Sequence, residues 1–454
     1  MGKSWGWGFC LLVGLNILPF EAQAQENSTN KAAAVETEVT YNQIFKDNIR
    51  AAVANHPRIA AVVAARDGQR FRQNEASAAL YPQLEVGLSG RYRMADNFEN
   101  RFDNINQRSQ RDTSAQASLT GRQLLYDGGQ TFSQIDSAKH AFSAAHEEYG
   151  LEASAVALLA IQSHYQVFFQ SQRHILHRRN IERHRDLLNK VTLRFESGRG
   201  PSRDVALMEA RLATAEAQAS TVQKDMENAI SRYEEIYGFL PHSLKQPEAI
   251  LKIPQTMQEA LETGFLNNRA LSSAAARTLS LKEDLNASRA ERLPHLTMEV
   301  AATKYDLDRG NDDYDVTGRL VMNYSLYNGG ARSARISRSL KNYERERHQQ
   351  ARVKREVSRL IKTAYQDMQS QKRRIISLKK AQDANQRNRD QLKEQFEATG
   401  GSLFALLEAE KEYHQAQESY LGGNIENNIA QYQILDAMGI LLSTLNIRLK
   451  KENQ

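Results

Sequence analysis

The chain has 454 residues, and its 60 Lys and Arg against 54 Asp and Glu give a formal net charge of +6. Both signs are interspersed, which is typical of solvated helix faces and unlike the single basic surface of a nucleic-acid binder. Only 8 prolines and 24 glycines leave room for very long uninterrupted elements. The composition therefore predicts a mainly helical protein and excludes nucleic acid as its partner.

Residues 1–24 have the pattern of a secretory signal peptide, with a positive start at Lys3, an apolar stretch and a small-x-small cleavage site at 22–24. This segment holds Cys10, the one cysteine of the chain. We therefore expect an exported mature protein without disulfides, thiolate metal sites or a cysteine nucleophile. After the signal, no run of about 20 apolar residues predicts a helical membrane span.

Residues 82–126 predict the first pair of β-strands. Apolar and polar side chains alternate, as at Leu84, Val86 and Leu88, and a period of two gives a strand one apolar and one polar face. Residues 294–327 repeat the pair. Pro82 and Pro294 stand where each pair begins, where a proline costs no ladder bond and stops the preceding helix.

Two soluble hairpins would show the same alternation, but the strand lengths favour a membrane barrel. Strands of this kind match the roughly 9–11 residues that cross a bilayer at a tilt. Four strands cannot close a barrel, and open edges are not tolerated in lipid. Eight strands from a dimer would enclose only side chains, whereas twelve strands from three chains leave a passage. The pattern therefore favours a homotrimer in contact with lipid.

Each strand pair ends in a Leu-Tyr-(Asp/Asn)-Gly-Gly motif, at 125–129 and again 201 positions later at 326–330 (328 − 127). A near-constant offset at several landmarks is typical of a duplicated structural unit. The predicted strand–helix junctions are Asp127, Gly128 and Gly129 in the first unit and Asn328, Gly329 and Gly330 in the second. We assign 25–240 to the first repeat and 255–447 to the second, with a linker at 241–254 and a C-terminal tail at 448–454.

Behind each junction the sequence predicts a helical hairpin, at about 128–237 and 329–445. Neither outgoing helix contains a proline, and the return helices carry apolar residues at alternating steps of three and four, the seam of a coiled coil. The turns are rich in Gly and Ser. Glycine permits the reversal, and Ser202 and Ser402 are expected to cap the returning helices.

A duplicated, exported, cysteine-free chain in which strand pairs feed long helical hairpins resembles the TolC family of outer-membrane export channels. The likeness covers essentially the whole mature chain. It rests on the two junction motifs and on the two Phe-Glu-x(n)-Gly turns, each followed by a seam. It implies three copies, a 12-stranded β-barrel, a periplasmic tunnel of 12 helices, and no cofactor.

The resemblance also implies partners. These are a periplasmic adaptor (membrane fusion) protein and an inner-membrane translocase. The segments 401–408 and 430–439 look most like the type I secretion branch, in which an ABC transporter exports an unfolded, toxin- or adhesin-like polypeptide. A small-molecule efflux pump with a proton-driven translocase shares the fold, and a periplasmic coiled-coil scaffold without a pore is the remaining alternative.

Two functional sites follow from the resemblance. In the family, two acidic positions on the inner return helix and a nearby arginine narrow the pore at the periplasmic tip. Here Glu408 stands at one of the acidic positions, Ala405 at the other, and Gly401 at the position of the arginine. We expect a ring of three Glu408 carboxylates to narrow the mouth by bonding to Arg199 or Arg203, with Asp204 at the equivalent tip of the first unit. The expected adaptor-docking residues are the two tips, namely Ser197, Gly198, Gly200, Ser202, Thr399, Gly400, Gly401 and Ser402.

The sequence gives little support for metal binding, phosphate binding or catalysis. His174, His177 and His184 share a helix, but five neighbouring arginines argue against a metal site there. The Asp-Gly-Gly junction lacks the Gly-Lys-(Ser/Thr) of a phosphate loop. We find no Ser/His/Asp set and no paired carboxylates with a plausible pocket, so we predict that the protein is not an enzyme.

Overall fold

The computed structural model describes residues 41–95, 97, 105, 112–242, 244–247, 253–307 and 312–449. The predicted signal peptide, Cys10 and residues 450–454 lie outside this part of the chain. The elements in chain order are α1 (41–55), α2 (Pro57–Ala78), β1 (Gln83–Tyr92), β2 (Thr113–Tyr126), α3 (Gln130–Glu196), α4 (Ser202–Tyr237), α5 (Met257–Asn267), α6 (Arg269–Ala290), β3 (His295–Lys304), β4 (Tyr314–Asn323), α7 (Ala331–Thr399), α8 (Leu403–Ala437) and α9 (Leu441–Thr444).

The four strands form one antiparallel sheet in the order β1-β2-β3-β4. The register places Val86, Leu119, Ala302 and Val316 side by side on one face. The opposite face is polar, with a row formed by Arg122, Glu299 and Arg319. The predicted alternation is confirmed.

The apolar face of the sheet is bare. Leu84, Val86 and Leu88 are 76%, 78% and 78% exposed, and Leu320 on the other edge strand is 63% exposed. An apolar patch of this extent on a single chain is typical of a surface that contacts another protein or a membrane. The two edge strands, β1 and β4, also have an unpaired side within the described chain.

The helices form a single layer with α3 near its middle. In the half next to the turns, α3 packs chiefly against α4 and α8, and α8 packs against α7; in the half next to the sheet, α3 packs against α2 and α6, and α6 against α7. The 67 residues of α3 correspond to about 100 Å at 1.5 Å per residue. The long helical hairpins expected from the proline-free stretches are confirmed.

None of the described helices combines the length and the hydropathy that a membrane-spanning helix requires.

Candidate functional site at the helix tips

The turn of the second repeat ends α7 and starts α8 within three residues. Gly400 has φ +71°, which an L side chain rarely adopts. The Gly401 N–H donates to the Gln395 carbonyl at 3.2 Å, and the Thr399 hydroxyl donates to the same oxygen at 2.9 Å. Ser402 caps α8, because its hydroxyl accepts from the Ala405 N–H at 3.3 Å.

The turn of the first repeat uses different residues. Gly198 has φ +71°, so Gly198 and Gly400 are the turn glycines whose backbone requires glycine, while Gly200 and Gly401 lie outside the positive-φ region. The prediction that Ser202 caps α4 is wrong. Pro201 occupies the cap position and the helix begins at Ser202 itself, so no side chain accepts from the first turn.

The two tips are packed together by a small apolar cluster drawn from all four long helices. Its buried members are Leu187, Val191, Met208, Phe396, Leu403, Leu406 and Leu407. Arg194 joins the outgoing helices, donating to the Phe396 carbonyl at 2.8 Å while its guanidinium lies 4.3 Å from the Phe396 ring centroid. Lys190 adds an ion pair to Glu397 at 2.8 Å, and this hydrogen bond lowers the pKa of Glu397 and raises that of Lys190.

Glu408 lies beside this cluster, on the first turns of α8. Its carboxylate accepts from Arg211 of α4 at 3.1 Å and from Lys411 at 3.3 Å, and its side chain is 35% exposed. The partners expected from the sequence are engaged elsewhere within the chain. Arg199 donates to the Ser197 hydroxyl at 3.1 Å and Arg203 lies 3.4 Å from Asp204. Within one chain the partner of Glu408 is therefore Arg211, and the bonding of a ring of three Glu408 carboxylates to Arg199 or Arg203 stays a prediction.

The strand–helix junctions lie at the opposite end of the long helices. Asp127 is buried and accepts from the Gly129 N–H at 3.0 Å and the Thr131 N–H at 2.7 Å. Gly128 and Gly129 both have positive φ, as do Gly329 and Gly330 in the second repeat. Asn328 accepts from the Arg332 N–H at 3.3 Å. A short polar side chain followed by two left-handed glycines thus starts both outgoing helices.

A second group of functional interest lies between α3, α4 and α8. His177, His414 and Glu418 bring ligand atoms within 4.8 Å of one another. His177 is hydrogen-bonded to Glu418 at 2.9 Å, and the ring of His414 stands edge-on to that of His177, with centroids 4.6 Å apart. Burial and the neighbouring His177 lower the pKa of His414 to about 4. Hydrogen bonds from His177 and Arg173 hold the pKa of Glu418 at about 2.

This group was missed in the sequence because its members are remote along the chain. The sequence showed only the spacing His174, His177 and His184 on one helix. The fold joins His177 to two residues of the second repeat and places His184 on the wall of the same cavity, whereas His174 lies outside the group. Arg194 and Arg211 were missed for the same reason, since the partner of each arginine lies in the other hairpin.

A sequence profile described as Outer membrane efflux protein matches residues 48–238 and 258–439. The chain is 21% identical over 330 residues to the outer membrane efflux protein BepC of Brucella suis biovar 1 (strain 1330), covering 72% of each protein. It is 22% identical over 409 residues to the outer membrane protein TolC of Salmonella enteritidis, covering 85% of this chain and 80% of that one. A crystal structure of a membrane protein from Pseudomonas aeruginosa has a TM-score of 0.77 at 15% identity, over 87% of this chain and 93% of that one.

Proposed function

The chain belongs to the outer membrane efflux protein family, and from this premise we propose that three copies close into a duct that exports unfolded polypeptides. The resemblance to TolC-family channels and the outer-membrane location are confirmed by these relatives. The protein is an outer-membrane channel with a large periplasmic portion, which is not an enzymatic fold. The number of copies, the cargo and the partners are our proposals.

The bare sheet is the observation that carries the proposal. Its apolar face is exposed over all four strands while the opposite face carries charges, as expected if one face meets lipid and the other lines a watery passage. Both edges are open, and lipid does not tolerate an open edge. Head-to-tail pairing of β4 with the β1 of the next copy removes every edge, and three copies give twelve strands.

The helical layer has matching open edges. On one side, the outer edge is α4 in the half next to the turns and α2 in the half next to the sheet. On the other side, α7 forms the edge in both halves. Between Ala331 and Thr399 the sequence has 19 Lys and Arg against 8 Asp and Glu, whereas α4 has 4 against 7. Leu360 and Ile376 are also exposed on α7. In a ring, over the half of the layer next to the turns, the basic α7 of one copy therefore meets the acidic α4 of the next, which supports a heterologous, closed contact.

Charge reversal on α7 tests this contact. Lys372 and Arg373 are exposed, and a double change to Glu is expected to shift the detergent-solubilised protein from trimers to monomers. The matched control reverses Lys139 and Arg178 on α3, which is the interior helix of the layer. Trimers that persist in the α7 variant would contradict the contact.

The tips are the proposed adaptor-docking surface, formed by Ser197, Gly198, Gly200 and Ser202 with their counterparts at 399–402. Gly198→Trp is expected to abolish export and leave the trimer intact. Gly238 offers a matched control, because it also has positive φ and open space around it but lies at the other end of α4. If Gly238→Trp abolished export equally, the loss would reflect backbone strain and not docking.

Glu408 is the proposed gate residue, with Asp204, Arg203 and Arg199 near it at the tips. Its bond to Arg211 joins the two return helices, so opening the mouth would require this pair to separate. Glu408→Gln is expected to raise single-channel conductance and to reduce cation preference. Glu209→Gln, at the corresponding position of the first repeat, serves as the control. Unchanged conductance and selectivity in Glu408→Gln would remove the gate role.

For the cargo, the segments 401–408 and 430–439 favour polypeptide secretion with an ABC transporter. The names of the relatives, which include the word efflux, favour the second candidate, a small-molecule pump with a proton-driven translocase. Deleting the gene and comparing secreted proteins with drug susceptibility decides between them. We expect a large secreted polypeptide to disappear; a hypersusceptible strain with an unchanged secretome would favour efflux.

A further inference from the structure

Two buried histidines in the helical layer have nitrogens that no protein group satisfies. His414 is 6% exposed, and neither Nδ1 nor Nε2 has a hydrogen-bond partner among the described residues; His177 is 4% exposed, and its Nδ1 is likewise without one. Buried polar atoms are nearly always hydrogen-bonded, so three unsatisfied nitrogens in contacting rings need a physical reason. A ligand that bonds to imidazole nitrogen supplies one.

His177 and His414 line a cavity of about 380 Å³ between α3, α4 and α8. Glu418, which also lines it, contributes a carboxylate 2.9 Å from His177 Nε2. One ligand atom from each of His177, His414 and Glu418 lies within 4.8 Å of the other two. Two imidazoles and one carboxylate on a cavity wall are the protein ligands of an open zinc site, where the fourth position is left to water.

We propose that His177, His414 and Glu418 bind a divalent transition-metal ion of the zinc type. The imidazole nitrogens select such an ion over Mg²⁺ or Ca²⁺, which prefer oxygen ligands. Because His177 belongs to α3 and the other two to α8, the ion would join the two repeats in the middle of the layer. The site takes the metal as a structural ligand and is separate from the gate and the tips.

The geometry requires only local adjustment. Bonds of about 2.0–2.1 Å in a tetrahedral site place ligand atoms about 3.3–3.5 Å apart. The His177–Glu418 pair must therefore open slightly, and the widest pair must close by about 1.5 Å at most. The adjoining cavity gives the side chains room for this movement.

Three of the five arginines that argued against a metal in the sequence, namely Arg173, Arg183 and Arg185, are paired with carboxylates in the fold. Arg173 lies 3.2 Å from Asp225 and 2.7 Å from Glu418, and Arg183 lies 3.1 Å from Glu410. Arg211 and Lys411, which also line the cavity, both pair with Glu408. Metal binding at Glu418 would leave Arg173 paired with Asp225.

Zinc titration of the purified full-length protein in detergent, after treatment with a chelator, tests the proposal. We expect saturable binding of one Zn²⁺ per chain, and an X-ray absorption spectrum with two imidazoles. His414→Asn and Glu418→Gln should weaken binding tenfold or more, while His174→Asn, one turn away on the same helix and outside the group, should leave it unchanged. Absence of saturable binding up to about 1 mM Zn²⁺, or equal affinity in His414→Asn, would overturn the proposal.

A second variant separates ligation from folding. His414→Cys is expected to retain zinc and to add sulfur scattering at about 2.3 Å, which only a direct ligand position produces. A bound zinc without sulfur in this variant would show that His414 does not touch the ion. Neither outcome depends on trimer formation or on cargo, so the metal site and the export function can fail separately.

Discussion

The outgoing helices α3 and α7 have nearly equal lengths and the same place in their repeats, yet they differ sharply in burial. Helix α7 buries only Val357, Ile361, Met368 and Phe396, whereas buried residues of α3 run from Thr131 to Val191. Helix α3 packs against α2, α4, α6, α8 and α9, and α7 lies at the edge of the layer. The two repeats contain the same kind of hairpin, but within a single chain only the outgoing helix of the first repeat is buried along most of its length.

Equivalent residues in the two repeats therefore have different physical roles. A residue on α3 mostly contacts its own chain, whereas the corresponding residue on α7 contacts the neighbouring copy or water. Matched substitutions at positions about 200 residues apart therefore separate what stabilises the protomer from what stabilises the assembly.

The largest contrast is expected at the paired tyrosines Tyr165 and Tyr365. Tyr165 is 1% exposed inside the main core, so Tyr165→Ala should cost about 3–5 kcal/mol in unfolding free energy. Tyr365 is half-buried and donates its hydroxyl to the Gln255 carbonyl at 2.8 Å, so Tyr365→Ala should cost roughly 1–2 kcal/mol. Equal losses in denaturant unfolding would break the comparison.

His164 on α3 corresponds to Ala364 on α7, so at this position the first repeat has an acid-sensitive group that the second repeat lacks. Burial lowers the pKa of His164 to about 4, and its ring contacts Tyr41 and the Lys245 carbonyl. The unfolded chain then binds more protons between pH 6.5 and pH 4, and stability falls as the pH falls through that window, by about 3 kcal/mol in total.

Thermal unfolding between pH 7 and pH 4 measures this slope. His164→Gln keeps a donor for the Lys245 carbonyl without a titrating ring, and is expected to make the dependence shallower; burial also lowers the pKa of His414 to about 4, so part of the slope remains. The exposed His348 supplies the control, since His348→Gln should leave the slope as it is. A slope of unchanged size in His164→Gln would assign the acid sensitivity to another group.

The junction glycines give a smaller difference. A Cβ at Gly128 would lie 2.6 Å from Leu293, on top of the strain at φ +71°, so Gly128→Ala should cost about 2–4 kcal/mol. Gly329 has φ +65° but open space, so Gly329→Ala should cost about 1–2 kcal/mol. The melting temperatures of the two variants test this order of stability losses. A larger loss in Gly329→Ala than in Gly128→Ala would contradict it.

The smallest contrast concerns the helix caps. Ser402→Ala removes a hydroxyl that accepts from Ala405 and should cost about 1 kcal/mol. Ser202→Ala lies inside α4, where no cap bond is lost, and should change the unfolding free energy by at most a few tenths of a kcal/mol. An equal loss of unfolding free energy in the two variants would show that Ser202 caps α4.

The sequence predicted the features that depend on local periodicity. The two-residue alternation of β1 to β4 and the proline-free stretches of α3 and α7 are properties of neighbouring residues, and both were confirmed. The cap at Ser202 was wrong because a proline one residue earlier shifts the helix start, a detail finer than any periodic pattern.

Features that depend on contacts between the repeats were beyond the sequence. The pairs Arg194–Phe396 and Arg211–Glu408, and the group of His177, His414 and Glu418, join residues about 200 or more positions apart. No spacing rule connects such positions, because the packing of four helices brings them together. The bond between Glu408 and Arg211 was missed for this reason.

Disulfide cross-linking of the sheet edges in intact outer membranes tests the central claim most directly. Within one chain β1 and β4 are separated by two strands, about 14 Å at 4.8 Å per step, too far for a bond that needs Cβ atoms about 4 Å apart. Cysteine at Glu85 of β1, combined in turn with cysteine at Asp315, Thr317 or Arg319 of β4, should give a ladder that ends at three chains. Monomers alone, or a ladder that continues beyond three chains, would contradict a closed ring of three.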